Sequence, residues 1–158
     1  IFDIPRPPEV IKWRIEQGYR CIGAIDKDNR LAGCVWLAFN HYCEDEIRCD
    51  FFPLPADRSA WDFDVWVEPN YRMGRLFLRL WQHTYAFLNT HTIEHSVSRI
   101  NGYNQQSVLS HQRLGAKTCG WASFLVCGHW QLSIFSRSPF INLSLSKTHR
   151  PSLRIGDT

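Results

Sequence analysis

The sequence predicts a mixed α/β (α+β) fold: a mostly antiparallel sheet with a central parallel strand pair and helices on both faces. Three observations carry that expectation. Residues 61–67 (WDFDVWV) alternate apolar and polar side chains as a half-buried strand does, and Pro69 stops the run. Leu76, Phe77, Leu80, Trp81, Thr84, Phe87 and Leu88 then recur at helical spacing. Residues 94–101 (EHSVSRIN) alternate again, so strand, helix and strand follow in order, which a right-handed crossover folds into a parallel pair.

The remaining elements follow in chain order. Residues 1–8 are Pro-rich and extended. Residues 9–17 (EVIKWRIEQ) place Val10, Ile11, Arg14 and Ile15 on one helix face, with Pro7 or Pro8 suited to the first turn and Gly18 to the end. Residues 19–26 and 31–40 read as strands joined by the turn Lys27-Asp28-Asn29-Arg30, a hairpin. Residues 41–60 are acidic, contain Pro53 and Pro55, and read as a long loop with room for a short strand. The helix after the turn at 70–74 spans 74–91. A second helix spans 104–114, with Asn104 as its N-cap and Gly115 as its stop. Residues 119–127 and 129–135 form a second hairpin around Gly128. Residues 1–137 are expected to be one domain, and residues 138–158 a polar C-terminal tail or an arm packing elsewhere.

Composition narrows the function classes. The 158 residues suit a single domain with a real core, and 44% hydrophobic with 21% charged residues is globular. The formal net charge is only +3 and the bases are scattered, so neither nucleic acid nor an anionic membrane is an expected partner. Acids cluster instead: Glu44, Asp45, Glu46, Asp50, Asp57, Asp62, Asp64 and Glu68 are eight of the fifteen, which favours a cationic or amine ligand over a polyanion. The six cysteines come without a signal peptide and several sit in apolar runs, so reduced, buried thiols and a cytoplasmic location are expected. His41, Cys43 and Cys49 have no C-x-x-C companion, and no metal site is expected. No apolar run is long enough to span a membrane. Trp36, Phe51, Phe52, Trp61 and Trp66 either line an apolar groove or fill the core.

The stretch 61–91 holds the first candidate site. A strand, a glycine-containing basic turn and a helix together make an anion site, because the helix start offers unpaired N–H groups and a partial positive charge. Arg72 and Arg75 add full charges to it. An ordinary connection with solvated arginines fits these residues equally well.

Three motifs, over residues 9–135, resemble the GNAT acyltransferase superfamily. Val65-Trp66-Val67-Glu68-Pro69-Asn70-Tyr71-Arg72 looks like that family's strand ending in Val-x-Pro-x-Tyr-Arg. The basic glycine turn with its helix is the second. Asn104-Gln105-Gln106-Ser107 through Leu114-Gly115-Ala116 is the third, similar to an Asn-x-x-Ser/Ala helix ending in Leu-Gly-Phe. The sequence departs from the family's Gln/Arg-x-x-Gly-x-Gly/Ala turn. Counted from Tyr71, Gly74 fills the first glycine and Leu76 the second small position; counted from Arg72, the positions are Arg75 and Phe77. One glycine is missing in either register, where a Cβ obstructs a pyrophosphate approaching backbone. The family's first strand and helix also have no room before the 9–17 helix. They are expected to be truncated, or replaced by the C-terminal segment or another subunit.

The resemblance implies acyl transfer from acetyl-CoA or another acyl-CoA, as co-substrate, to a small-molecule or peptide amine, with a homodimer allowed. Main-chain groups of Val65, Trp66 and Val67 would pair with the pantetheine arm. The turn of Arg72, Met73, Gly74, Arg75 and Leu76 would hold the pyrophosphate, and Asn104 would steady the pantetheine. His111 stands where many relatives carry a proton-donating Tyr, and an imidazole titrates near neutrality. Asp62 and Asp64, expected on the strand face opposite Phe63 and Val65, are the candidate bases. Two other readings remain. One is an N-acyl amino acid synthase using a long-chain acyl-CoA or acyl-carrier protein; the other is an inactive GNAT-fold binding or regulatory module.

Overall fold

A computed structural model describes residues 4–44, 46–72 and 74–156. Helix α1 (Pro8–Glu16) leads into the hairpin β1 (Arg20–Ile25) and β2 (Leu31–Phe39). Two short strands follow, β3 (Tyr42–Cys43) and β4 (Asp50–Leu54), then β5 (Ser59–Val67), a 3-10 turn at Pro69–Tyr71, and α2 (Leu76–Thr90). The chain continues through β6 (His95–Val97), α3 (Gln105–Arg113), β7 (Ala122–Cys127), β8 (Trp130–Phe135), β9 (Ile141–Ser144) and β10 (Ser152–Gly156).

The main sheet runs β1-β2-β5-β6, antiparallel except for the parallel β5–β6 pair. Its strands read as expected, although β5 starts earlier than the alternation suggested and β6 is shorter. Residues 41–60 are more ordered than a loop: β4 pairs with β3 and, in parallel, with β10. The polar segment 138–158 supplies β9, antiparallel to β8, and β10, whose Leu153 and Ile155 are buried. Arg137 fastens this segment, donating to the Cys119 and Gly156 carbonyls.

Helices cover both faces of the main sheet. On one face α2 buries Leu80, Trp81, Thr84 and Leu88, a helical stripe against Val35 and Leu37. Each such Leu contributes about 1.5–3 kcal/mol of burial. The other face holds the aromatic core. Trp61 stacks on Phe51 at 4.5 Å and Tyr42 on Phe63 at 4.3 Å, with Trp36 fully enclosed beside them. Trp36, Phe51 and Trp61 therefore fill the core, whereas Phe52 and Trp66 are only partly buried. Of the six free thiols only Cys34 and Cys49 are buried, and Cys127 is exposed, so the expectation of buried thiols holds for two.

Strand β5 carries one irregularity. Cys34 pairs with Trp66 and Trp36 with Phe63, which leaves Val35 alone opposite two residues, Asp64 and Val65. This is a β-bulge, with Asp64 at φ 49°. Asp tolerates that left-handed backbone better than most residues. The extra residue reverses the alternation, so Asp62 and Asp64 lie on opposite faces of the sheet. The shared face expected for them is corrected by the bulge.

Candidate active site

The β5–β6 ladder is short. Ser59, Ala60 and Trp61 pair with His95, Ser96 and Val97, and β6 then ends while β5 continues to Val67. The two strands diverge, and the edge of β5 from Asp62 onwards has no β6 partner. Unpaired strand N–H and C=O groups beside an opening are ready to bind an extended, amide-containing chain.

At the far end of that edge sits the turn into α2. Arg72 Nε donates to the Val67 carbonyl at 2.9 Å, tying the turn to the end of β5. The Tyr71 hydroxyl donates to Asp26 at 3.2 Å, tying it to the β1–β2 hairpin. Helix α2 starts without a side-chain cap and without an acid in its first turn, so its positive end is open. Beside it lies a pocket of about 550 Å³ lined by Lys27, Gly74, Arg75, Leu76 and Arg79 among others. Lys27, Arg75 and Arg79, with the Asp26 carboxylate in the same lining, surround an uncapped helix start, a place that favours an anion. Among the described residues a Cβ added at Gly74 meets only the Tyr71 carbonyl, at an ordinary 3.4 Å. The fold thus leaves room for a side chain at Gly74, and its glycine keeps the approach to the turn clear. Leu76 turns towards the sheet, where its Cδ2 reaches within 3.5 Å of a Cβ placed on Gly33. The side chain at the second small position is therefore directed at β2.

The point of divergence carries titratable groups. Asp62 is 3% exposed; its Oδ2 accepts a hydrogen bond from the Ser96 hydroxyl at 2.6 Å, and its Oδ1 has no partner. Burial pushes its carboxyl above the ordinary value, against the lowering effects of the Ser96 hydrogen bond and the His111 charge. His111, on α3, is buried edge-on to Phe77 at 5.6 Å and to Trp81 at 5.7 Å. Its Nδ1 lies 2.8 Å from the Ser107 carbonyl. A carbonyl only accepts, so Nδ1 carries the proton and Nε2 is left to take or give one. Tyr85, on α2, faces the same region; its hydroxyl is pushed up by burial and then by the Asp62 charge.

No protein-family model and no curated protein matches this chain. Solved structures do. A mutant of the BH1408 protein from Bacillus halodurans superposes with TM-score 0.60 at 9% identity, over 77% of this chain and 74% of that one. An aminoglycoside acetyltransferase from an uncultured soil metagenomic sample gives TM-score 0.55 at 12% identity, over 80% and 77%. A GNAT-family acetyltransferase from Staphylococcus aureus gives 0.53 at 11%, over 80% and 69%. The chain has the GNAT N-acetyltransferase fold.

Within that fold, the residues singled out from sequence fall into three groups. Val65, Trp66, Val67, Arg72, Gly74, Arg75 and Leu76 line up along the free edge of β5 and the α2 turn; Met73 lies outside the described residues. Asp62 stands where the β5–β6 ladder ends, close enough to His111 to feel its charge. Asn104 caps α3, its Oδ1 accepting from Ser107 N at 3.1 Å. Asp64 is separated from all of these on the α1 face, ion-paired to Arg14 at 2.5 Å and to Arg6.

Lys27, Arg79 and Tyr85 escaped the sequence reading. Arg79 follows Arg75 by one helical turn, a spacing that offered a signal; Lys27 sits in a hairpin turn and offered none. The acidic cluster is largely neutralised internally, since Arg99 binds Glu44 and Glu46, and Arg150 binds Asp50. Among the described residues no group of three or more His, Cys, Asp or Glu is placed to hold a metal ion, and no helix is long and apolar enough to cross a membrane.

Proposed function

We propose that this protein is an N-acyltransferase that moves an acyl group from acyl-CoA, acetyl-CoA foremost, to the amine of a small molecule or peptide. One observation carries the proposal: the free edge of β5 runs from the buried Asp62, whose carboxyl feels the charge of His111, to an uncapped, cation-lined helix start. A long co-substrate with amides in its middle, a thioester at one end and phosphates at the other matches that sequence of features. The likeness to solved acetyltransferases supports the same reading through the fold.

The residues present fit such a donor. Lys27, Arg75 and Arg79 supply charge for its phosphates, and the β5 edge from Val65 to Val67 supplies main-chain partners for its amides. Asn104 keeps its Oδ1 on the helix cap, which holds the start of α3 beside the opening. When bound, the thioester supplies an activated acyl carbon and a thiolate leaving group. His111 Nε2 is the proton carrier, accepting from the attacking amine and returning the proton to the departing sulfur. Asp62 stabilises the imidazolium in between, and the apolar walls of Phe77 and Trp81 limit water around it.

The cations at the α2 turn favour a CoA donor over a carrier-bound one, because CoA carries phosphates for them to meet. The test is thiol release from acetyl-CoA in the presence of amine panels that include aminoglycosides, polyamines and amino acids. Thiol release matched by an N-acetyl product supports the proposal. Turnover only with long-chain acyl-CoA or acyl-carrier protein moves the donor assignment, and absence of turnover with every donor overturns the enzyme reading.

A further inference from the structure

Two of the six cysteines share one face of the β1–β2 hairpin. The register sets Cys21 opposite Trp36 and Cys34 opposite Gly23, so the two cysteines are diagonal neighbours. Trp36 and Ala38 belong to the aromatic core and Cys21 packs against it, which puts Cys21 and Cys34 on the α1 side of the sheet. Gly23, across from Cys34, places no side chain between them. The two thiols are in hydrogen-bond contact. Cys34 is 1% exposed, whereas Cys21, on the outermost strand, is only partly buried and meets solvent.

The surroundings give the two sulfurs different roles. The hydrogen bond from Cys34 holds the Cys21 thiol below its ordinary value against the cost of burial; the Arg14 charge adds to the lowering and the Asp64 charge opposes it. The same hydrogen bond, and burial after it, raise Cys34. Cys21 is therefore the thiol that ionises and attacks, and Cys34 is the one held beside it. Cys49 shows the contrast: burial pushes it up to about 12, with the Asp50 charge adding to the rise, so it stays a thiol. Neither Cys21 nor Cys34 has a part in the acyl-transfer chemistry.

We infer that Cys21 and Cys34 are an oxidative modification site, a dithiol that hydrogen peroxide closes to a disulfide. The Cys21 sulfur attacks one peroxide oxygen and the O–O bond breaks, leaving a sulfenic acid and one water. The Cys34 sulfur then displaces that oxygen, which takes the Cys34 proton and leaves as a second water. Two thiols are oxidised and one peroxide is reduced. A dithiol reductant reverses the bond by exchange. The link ties the edge strand β1 to β2, whose Cys34 pairs on its other side with Trp66 of β5. The site stands or falls independently of the acyltransferase reading.

The test treats the native wild-type protein with hydrogen peroxide, blocks the remaining thiols with N-ethylmaleimide in denaturant, and maps the peptides by mass spectrometry. A Cys21–Cys34 disulfide, the loss of two of the six free thiols, and their recovery with dithiothreitol are expected. In Cys34→Ser the reaction should stop at a sulfenic acid on Cys21, which dimedone traps. Cys127→Ser removes the exposed thiol and should leave the disulfide as in wild type. Cys21 and Cys34 both still reduced once Cys127 is oxidised would overturn the inference. So would Cys21 joined to any other cysteine, or a Cys21–Cys34 link that forms only when peroxide is added in urea. A folded Cys34→Ser protein without the dimedone adduct contradicts Cys21 as the attacking thiol.

Discussion

Asp62 and Asp64 are two residues apart on one strand and have opposite surroundings. Asp64 faces α1, where Arg14 and Arg6 neutralise it and Arg14 in turn lies over the rings of Trp36 and Phe63 at 5.2 and 5.0 Å. Asp62 faces α2 and α3, where it has a serine hydroxyl, a histidine and one oxygen with no partner. The bulge at Asp64 is what separates them. A carboxylate between guanidinium groups anchors a helix to a sheet. A carboxylate buried beside an imidazole at the mouth of an opening is placed for proton chemistry, and it costs stability to keep there.

The largest expected effect falls on the Asp64 side. Asp64→Ala removes the carboxylate that a 3%-exposed Arg14 binds, and the protein should lose about 3 kcal/mol in urea denaturation. A loss under about 0.5 kcal/mol would mean that Asp64 does not anchor α1. On the other face, His111→Gln should lower kcat about 100-fold with the donor Kd unchanged, the size expected for a lost proton carrier. Unchanged turnover would remove His111 from the chemistry.

Asp62→Asn should do the reverse of Asp64→Ala to stability. The folded-state pKa of Asp62 is raised, so the folded protein holds this proton more tightly than the unfolded chain. This group's contribution to stability therefore falls as pH rises from the ordinary carboxylate range through the raised value. Asp62→Asn should flatten that slope and stabilise the protein by about 1 kcal/mol or more at pH 7, while lowering kcat. Thermal melts from pH 4 to 8 check it, and a destabilised Asn variant with the slope intact would contradict it. The smallest effect is set by exposure. Arg58 and Glu94 pair at 3.0 Å with about half of each side chain in water, and Glu94→Ala should change stability by no more than about 0.5 kcal/mol.

This contrast was only half legible in the sequence. Trp61 to Val65 alternate strictly before the apolar run Val65-Trp66-Val67, and no glycine marks the bulge, so pattern reading put both carboxylates on one face. What reverses them is the pairing with β2, a tertiary constraint. The hairpins, the crossover and both later helices were legible because each is local and strongly periodic. β10 was not. Its five residues pair with β4 across about a hundred residues of chain, and neither strand carries a pattern that names the other. Its fit is nonetheless tight, since a Cβ on Gly156 would sit 2.0 Å from the Leu54 carbonyl. At the candidate site, the glycine turn and His111 were readable as motifs. The influence of His111 on Asp62 was not, because it reaches from α3 to β5, elements far apart in the chain.

Calorimetric titration of acetyl-CoA into the wild-type protein and into Gly74→Glu measures donor binding at the β5–β6 opening and the α2 turn without knowledge of the amine. The added side chain has room in the fold but places a carboxylate where phosphate is expected. One-site binding by wild type, weakened at least about tenfold in Gly74→Glu with an unchanged melting temperature, is the predicted result. No binding by wild type, or equal affinity in both proteins, would contradict the assignment of this opening as an acyl-CoA site.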